Sequence, residues 1–360
     1  MLGRNRFLAL AVTAMLSACA DANQPTAPST DQSHARGGVP GGSAGSGITI
    51  VDLGTLGGRS SVAHAVNEAN QIVGYSATSS GAIHAFFWSA GAFTDLGVLP
   101  GMTSSQASAI NSSGQVVGWS SGATSARRAF KWDAGTLIEL PPPTGYCCSE
   151  AFGINDNGDV VGAVSVSNGH PHAAIWREGV PTDLQATGGE GFAWDVNASG
   201  QVVGTFYTSF SSGGPQGSFV WTESGGLQLL GGSADGGEAL AINNAGDITG
   251  WSAPSAGQSF SAYLWKNGAK QYLGTLGGFS SAGLGLSDGT SVRSAHVVGW
   301  SDLRRGTHAF VWTEAGGIKD LGLPKGRSFG RAEDVNSSGW AVGWTTTSGG
   351  QERATLWKLP

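Results

Sequence analysis

The sequence predicts an all-β protein, a seven-bladed β-propeller in which the N-terminal strand of the domain closes the ring. Three observations lead to this prediction. A unit of about 44 residues recurs seven times over residues 48–360. Each unit contains four strand-like segments. The two ends of the domain supply complementary parts of a single unit.

Three marks define the repeat, and each of them occurs seven times. One is a tryptophan at the end of an apolar segment: Trp88, Trp132, Trp176, Trp221, Trp265, Trp312 and Trp357. Another is a glycine after Val or Thr: Gly74, Gly118, Gly162, Gly204, Gly250, Gly299 and Gly343. The third mark is the residue directly before a leucine, and it is usually acidic: Asp52, Asp95, Glu139, Asp183, Leu229, Tyr272 and Asp320. Successive marker tryptophans are 44 to 47 residues apart, close to the length of a propeller blade.

The four segments of a unit are clearest in the second repeat. Strand A ends with residues 107–111, strand B covers 115–120, strand C covers 128–132 and strand D covers 136–140. The A–B links read Asn-x-x-Gly, which favours a type I turn capped by the asparagine side chain. We therefore interpret the following asparagines as structural: Asn111, Asn155, Asn197, Asn243 and Asn336.

The ends of the domain predict how the ring closes. The last unit stops on strand C at residues 356–360, and no strand D follows it. The domain begins with residues 48–53, which read as a strand D without a preceding A, B or C. The N-terminal strand is therefore expected to complete the seventh blade.

Residues 1–18 read as an export signal, because Arg4 and Arg6 precede a short apolar run and small residues. The tetrad Leu-Ser-Ala-Cys at 16–19 resembles the lipobox of bacterial lipoproteins. The resemblance implies cleavage before Cys19 and lipid attachment to it, and an ordinary secreted protein is the alternative. With Ala20 after the cysteine, it also implies sorting to the outer membrane. Residues 19–47 are then the lipidated cysteine and a flexible Pro/Ser/Gly-rich tether.

The repeats also resemble a known family. The His-Ala-Phe tripeptide occurs at 84–86 and 308–310, Leu-Gly-Thr-Leu-Gly-Gly occurs at 53–58 and 273–278, and residues 109–118 match the rest of the consensus. Nearly all of residues 48–360 is similar to the HAF-type bacterial extracellular repeats. The resemblance implies export and a repeat architecture, and it carries no assigned activity.

Three repeats depart from this pattern. The third replaces the Gly-rich loop with residues 141–148, Pro-Pro-Pro-Thr-Gly-Tyr-Cys-Cys. The fourth has a long B–C loop at 205–217, and the sixth has Ser287 in place of the turn asparagine with a longer A–B link. We expect any specialised binding surface to lie in the third or fourth repeat.

The composition argues against several classes of function. The net charge is −6 and no block of like charge occurs, so nucleic acid is not an expected partner. No P-loop is present. His170-x-His172 and the Asn155–Asp159 segment lack further ligands at metal-site spacing. We predict no cofactor, no metal and no recognisable catalytic residue.

Two sets of residues are candidates for function. Basic residues stand four positions before five of the marker tryptophans: His84, Arg128, His172, His308 and Arg353. They are expected either to form an anion-binding face or to pair with nearby carboxylates and loop carbonyls. The adjacent Cys147 and Cys148 would form a strained vicinal disulfide in an oxidising compartment, or remain two thiols in a stiff loop.

An aromatic row follows the strand B glycine: Tyr75, Trp119, Trp251, Trp300 and Trp344. Its regular recurrence favours a place in the core between blades. Exposed rings that stack on sugars, as in a lectin, are the alternative.

Taken together, the sequence predicts a monomeric propeller, lipid-anchored in a bacterial cell envelope at the outer membrane or cell surface. We expect a non-enzymatic binding scaffold for a partner protein or glycan, with the membrane contacted through the anchor alone. One alternative is an exported hydrolase or lyase with a site across blades, with His64 and Glu333 of strand A as its titratable groups. Another is a structural component of the cell surface.

Overall fold

The computed structural model of the chain describes residues 40–44, 47–123, 126–166, 170–185, 189–207, 216–230, 236–254, 258–290 and 294–360. Within these ranges the chain forms 29 β-strands and no helix, hence no helical segment able to cross a membrane. The strands form seven antiparallel sheets arranged as a seven-bladed β-propeller, which confirms the predicted fold class.

The first two strands, β1 (Pro40–Ala44) and β2 (Ile48–Gly54), belong to the last blade. Blades 1 to 3 each contain four consecutive strands, ordered A to D from the axis outward. Blade 1 is β3 (Gly57–Val66), β4 (Ile72–Thr78), β5 (Ile83–Ser89) and β6 (Ala92–Gly97). Blade 2 is β7 (Ser104–Ile110), β8 (Val116–Ser121), β9 (Arg127–Asp133) and β10 (Thr136–Leu140). Blade 3 is β11 (Cys148–Ile154), β12 (Val160–Ser165), β13 (Pro171–Arg177) and β14 (Val180–Asp183).

The remaining blades continue in the same order. Blade 4 is β15 (Glu190–Val196), β16 (Val202–Tyr207), β17 (Gln216–Thr222) and β18 (Gly226–Leu229). Blade 5 is β19 (Glu238–Ile242), β20 (Ile248–Ser252), β21 (Ser261–Lys266) and β22 (Ala269–Gly274). Blade 6 is β23 (Ser281–Leu286), β24 (Val297–Asp302), β25 (Thr307–Thr313) and β26 (Gly317–Asp320). Blade 7 is β27 (Gly330–Val335), β28 (Trp340–Thr346) and β29 (Glu352–Lys358), with β2 as its strand D.

The ring closes as the sequence predicts. Strand β2 pairs antiparallel with β29, with Ile50 opposite Trp357. Each strand A lies beside the strand A of the next blade, and β27 lies beside β3. The backbone of β1, within the segment predicted as a tether, adds a fifth strand outside β2. Residues 1–39, with the predicted signal and Cys19, lie outside the described residues.

The antiparallel order defines two faces. The A–B and C–D connections lie on one face, the turn face, and the B–C and D–A connections lie on the other, the loop face. Each strand A carries a one-residue bulge, for example between Ala107 and Ala109. The marker glycine of strand B lies opposite this bulge. A Cβ atom on Gly118 would come within 2.0 Å of the Gln106 carbonyl oxygen, so no larger residue fits there.

The hydrophobic core lies between blades. One cluster packs Ala129 and Leu140 of blade 2 against Val160 and Trp176 of blade 3. A corresponding cluster at the seam joins Leu356 of blade 7 to residues of blade 1. Large aromatic side chains bury about 150–250 Å² each, so these layers supply much of the driving force for folding.

Candidate functional site

The five basic residues of strand C all pair with an acid on strand D of the same blade. The closest nitrogen–oxygen distances are 2.9 Å for His84–Asp95, 3.6 Å for Arg128–Glu139, 2.8 Å for His172–Asp183, 2.9 Å for His308–Asp320 and 3.3 Å for Arg353–Asp52. Burial raises the pKa of Asp320, but hydrogen bonds from His308 and Gly322 outweigh it and hold that pKa below its ordinary value. These contacts match the carboxylate-pairing alternative, and an anion-binding face remains a prediction.

His64 of blade 1 and Glu333 of blade 7 lie on adjacent innermost strands, β3 and β27, on either side of the seam. Both occupy the bulge position of their strand A. The His64 ring contacts the Tyr75 ring edge-on with centroids 5.4 Å apart, and its Nδ1 donates to the Ala107 carbonyl at 2.8 Å. Glu333 accepts a hydrogen bond from Trp344 Nε1 at 3.1 Å.

Two further charged residues complete this group. The Tyr75 hydroxyl donates to Glu352 Oε2 at 3.1 Å. Burial, followed by the charge of Glu352, raises the pKa of Tyr75 above its ordinary value. Arg331 Nε lies 2.8 Å from Glu333 Oε1, although its N–H does not point at that oxygen. We call His64, Tyr75, Arg331, Glu333, Trp344 and Glu352 the seam cluster.

A second cluster surrounds Glu238 at the start of β19. Its carboxyl group accepts hydrogen bonds from the Tyr207 hydroxyl at 3.3 Å, Gln216 Nε2 at 3.2 Å and Trp251 Nε1 at 3.3 Å. The Trp251 ring contacts Phe260 with centroids 4.8 Å apart. Burial raises the pKa of Glu238 to about 7, against the lowering effect of these donors.

The charge of Arg331 links the two clusters. It lowers the pKa of Glu238 in blade 5 and that of Tyr75 in blade 1. A residue of blade 7 therefore acts on residues of two other blades.

A third polar group lies between blades 2 and 3. The Arg127 guanidinium lies 4.0 Å from the centre of the Trp119 ring, and its Nη1 is 2.5 Å from Glu150 Oε2. Burial raises the pKa of Glu150, and the positive charge of Arg127 opposes this.

The interpretation of the aromatic row as inter-blade core is therefore wrong for most of its members. Among the described residues, Tyr75, Trp119, Trp300 and Trp344 are only partly buried and belong to none of the hydrophobic clusters between blades, whereas every marker tryptophan belongs to one. Trp251 is buried, but its N–H bonds a carboxyl group. The row lies on the loop side of the strand B glycine, close to the axis, whereas the marker tryptophans fill the core. We call the row and its polar partners the inner loop face.

Sequence reasoning missed Arg127, Glu150, Gln216 and Glu238. Two of them, Glu150 and Glu238, could have been found from the pairing of strand A with strand B. Glu238 stands opposite Trp251, and Glu150 occupies the matching position opposite Ala163. The residue before the small residue of strand A thus faces the aromatic row. Gln216 gives no such signal, because it comes from a neighbouring blade.

The third repeat carries the Cys-Cys loop. The Sγ atoms of Cys147 and Cys148 lie 3.0 Å apart, and Cys147 Sγ lies 3.3 Å from the Ser165 carbonyl oxygen. Tyr146 joins this loop to the basic residue of its blade. Its hydroxyl donates to Asp183 at 2.6 Å and lies 3.3 Å from His172 Nδ1. The vicinal disulfide remains a prediction.

The two histidines considered as a metal pair in the sequence, His170 and His172, do not share a site in the structure. His170 pairs with Glu190 at 2.5 Å and His172 with Asp183, so the two histidines have different partners. Across the described ranges, no three His, Cys, Asp or Glu side chains are grouped to hold a metal ion. The long loop predicted at 205–217 is shorter, because β16 continues to Tyr207 and β17 begins at Gln216. Its middle, 208–215, lies outside the described residues.

No protein-family model and no curated protein sequence matches the chain. The resemblance to HAF-type repeats therefore stands on the sequence motifs alone.

Solved structures share the fold. The β-propeller domain of the trilobed protease from Pyrococcus furiosus is 11% identical, with a TM-score of 0.53, over 83% of this chain and 95% of that one. A puromycin-hydrolyzing peptidase from Mycobacterium tuberculosis is 13% identical, with a TM-score of 0.56, over 89% of this chain and 54% of the peptidase. The acylaminoacyl peptidase of Pyrococcus horikoshii is 9% identical, with a TM-score of 0.53, over 84% of this chain and 52% of that peptidase.

These similarities show the fold and nothing finer. The chain spans about half the length of the two peptidases. The Pyrococcus furiosus domain is described as having an open velcro topology. In the present chain, β2 and β29 instead join both ends of the domain in one sheet.

Proposed function

We propose that the protein is a non-enzymatic binding scaffold that recognises a glycan at the inner loop face. In this proposal a lipid on Cys19 displays it at the surface of a bacterial cell envelope. The observation that supports the proposal best is the repeated pairing of an aromatic ring with a carboxyl group on the inner loop face, where two of the three rings, Tyr75 and Trp344, are partly exposed. It occurs as Trp344 with Glu333, Tyr75 with Glu352 and Trp251 with Glu238.

Such pairs suit the chemistry of a sugar. The flat apolar face of a Trp or Tyr ring can cover the C–H face of a pyranose. Carboxyl and amide groups beside the ring accept and donate hydrogen bonds to the hydroxyl groups. Gln216 and Glu238 provide an amide and a carboxyl group in one cluster. Because the pKa of Glu238 is about 7, this group can act as donor or acceptor at neutral pH.

Exposed aromatic residues extend this surface across blades 5 and 6. The Phe279 side chain is 72% exposed and that of Phe260 is 37% exposed. They belong to neighbouring loops, because the Ser281 N–H donates to the Phe260 carbonyl at 3.2 Å. Phe260 in turn contacts Trp251 of the Glu238 cluster. Two neighbouring loops thus carry exposed aromatic side chains, and one of these, Phe260, contacts the Glu238 cluster.

The test is a glycan array followed by calorimetry with the full-length, detergent-solubilised protein. We expect a restricted set of glycans to bind and Phe279→Ala to weaken their binding about tenfold. Ile138→Ala removes another exposed apolar side chain, 46% exposed on outer strand β10, and serves as the matched control. Failure to bind any glycan, or equal affinity of both variants, would overturn the proposal.

The same experiment distinguishes the alternatives. A carboxyl group with a pKa near 7 is suited to general acid catalysis, which favours a hydrolase as the second candidate. Cleavage of a bound glycan, lost in Glu238→Gln, would identify that activity. Capture of one envelope protein that Phe279→Ala releases, with no glycan bound, would identify a protein-binding scaffold instead.

A further inference from the structure

The geometry points to a reversible redox site at Cys147 and Cys148, which small-molecule or protein disulfides oxidise to a vicinal disulfide. The first observation is the contact between the two sulfur atoms, 3.0 Å apart. Side chains of consecutive residues in a regular strand point to opposite faces. Here Cys148 begins β11 and Cys147 immediately precedes it, yet their thiols meet.

The backbone on both sides of the pair is fixed. Cys148 pairs with Ser165 in the sheet, and the Cys147 N–H also donates to the Ser165 carbonyl at 2.9 Å. Upstream, the Tyr146 N–H donates to the Pro143 carbonyl at 3.1 Å, and the Pro141 carbonyl accepts from Trp176 Nε1 at 2.7 Å. These anchors keep the two sulfur atoms together, so their encounter requires no folding of a mobile loop.

Both cysteines are partly exposed on the loop face, where an oxidant can approach. The repeat itself does not require thiols at this place. Ser104 of blade 2 holds the register position of Cys148, and its hydroxyl contacts Ser121 across the strands at 2.8 Å. A serine therefore satisfies this position in the neighbouring blade. Only the third repeat has cysteines at this place, and they end the loop at 141–148, whose sequence also differs from that of the other repeats.

The reaction is a thiol–disulfide exchange in two steps. The thiolate of one cysteine attacks an oxidant R–S–S–R, forms a mixed disulfide and releases one thiolate R–S⁻. The thiolate of the second cysteine attacks the protein sulfur of the mixed disulfide, closes the Cys147–Cys148 bond and releases the second R–S⁻. The two protons lost by the cysteines end on the two R–SH molecules. The protein loses two hydrogens, and the oxidant gains them.

Oxidation would act on the neighbouring hydrogen-bond network through Tyr146. This residue directly precedes the pair, and its hydroxyl bonds Asp183, the partner of His172. A change in the backbone at Cys147 is thereby coupled to His172, one of the five basic residues of strand C. The redox state of the pair would set the position of the Tyr146 side chain on the loop face of blade 3.

The test treats the full-length protein with oxidised glutathione and maps its tryptic fragments by mass. Residues 132–177 form one fragment that holds both cysteines and no third. We expect this fragment to become lighter by two hydrogens, to resist alkylation and to recover fully with dithiothreitol. Cys148→Ser, which introduces the residue found in blade 2, should instead retain one glutathione on Cys147, because no second thiol can displace it.

Two outcomes would overturn the inference. One is a wild-type fragment that stays fully alkylatable after oxidation. The other is a wild-type fragment that collects glutathione on one or both cysteines without closing the bond. The mixed disulfide of Cys148→Ser also reports that the thiol is reachable in a folded chain, so a failure to close cannot be assigned to lack of access.

Discussion

Asn336 donates a hydrogen bond from its Nδ2 to the backbone carbonyl of Asn67, 2.9 Å away, across the seam where blade 7 meets blade 1. The same bond joins the turn asparagines of successive blades, with lengths of 3.0 to 3.4 Å for Asn67–Asn111, Asn111–Asn155, Asn155–Asn197, Asn197–Asn243 and Asn243–Ser287. Ser287 has no amide, so it cannot continue the series to blade 7. The seam is thus held near the axis by Asn336 and at the rim by β2.

These inter-blade bonds should contribute measurably to stability. Asn111 is buried, its Oδ1 accepts the N–H of Gln115 at 2.9 Å, and its Nδ2 reaches Asn155. Asn111→Ser, which copies blade 6, removes the link and leaves a buried carbonyl without its donor. We expect the free energy of unfolding in urea to fall by about 1–3 kcal/mol. Ser113→Ala, at an exposed position of the same turn, should stay within about 0.5 kcal/mol of wild type. Equal free energies of unfolding for wild type and Asn111→Ser would show that this hydrogen bond does not contribute to stability.

The repeat made the blades predictable, whereas contacts between blades were only partly visible in it. Asn-x-x-Gly indicates the turn that the asparagine caps, because that bond is local. It gives no sign that the amide of Asn67 reaches Asn111 in the next blade. Likewise the repeat places His84 and Asp95 at fixed positions, and the strand C–strand D pairing determines that these two are partners.

The inner loop face was less predictable for a physical reason. The Glu238 cluster combines Tyr207 and Gln216 of blade 4 with Trp251 of blade 5, and the charge of Arg331 in blade 7 acts on it. A repeat pattern describes what the blades have in common. This cluster depends on residues in which they differ, and on a ring that brings distant blades together.

Two buried aspartates should make the protein less stable as the pH rises from about 4 to about 7. Asp195 and Asp334 lie on the innermost strands, and each accepts a backbone N–H of the next blade at 2.9 Å, from Ile242 and Val66. Burial raises their pKa values from 3.8 to about 7 and about 6. Since the folded state binds these protons more tightly, their stabilising effect is complete below pH 3.8 and disappears as the pH rises through about 6 and 7.

Asp195→Asn keeps an oxygen acceptor for Ile242 and cannot ionise. Its free energy of unfolding, measured at a series of pH values, should therefore fall less steeply between about pH 4 and pH 8 than that of wild type. Each unit of pKa difference corresponds to about 1.4 kcal/mol. Asp156→Asn, on an exposed turn, controls for the loss of an aspartate elsewhere. Parallel pH profiles for wild type and Asp195→Asn would refute the explanation.

Removing only one partner of the Arg127–Glu150 ion pair should strongly lower the free energy of unfolding. The side chains are only 18% and 5% exposed, so Arg127→Ala leaves a buried carboxylate without its counter-charge. We expect a loss of about 3–5 kcal/mol in the free energy of unfolding. The double variant Arg127→Met, Glu150→Leu removes both charges and should lose less than Arg127→Ala alone. A double variant that loses as much as Arg127→Ala, or more, would contradict this account.

The closing strand should be indispensable, because it fills a gap in the core as well as in the sheet. Ile50 of β2 is fully buried in a cluster that contains Val298, Leu321 and Trp357, while the adjacent Thr49 is exposed. Ile50→Ala should lower the free energy of unfolding by about 2–5 kcal/mol, and Thr49→Ala should have little effect.

A chain lacking residues 1–54 would leave β29 as an edge strand without its outer neighbour β2, and we expect this chain to aggregate. Adding a peptide of residues 47–54 should restore a soluble ring, because the missing strand then pairs from outside. If the shortened chain is soluble and as stable as the full one, the ring does not depend on this closure.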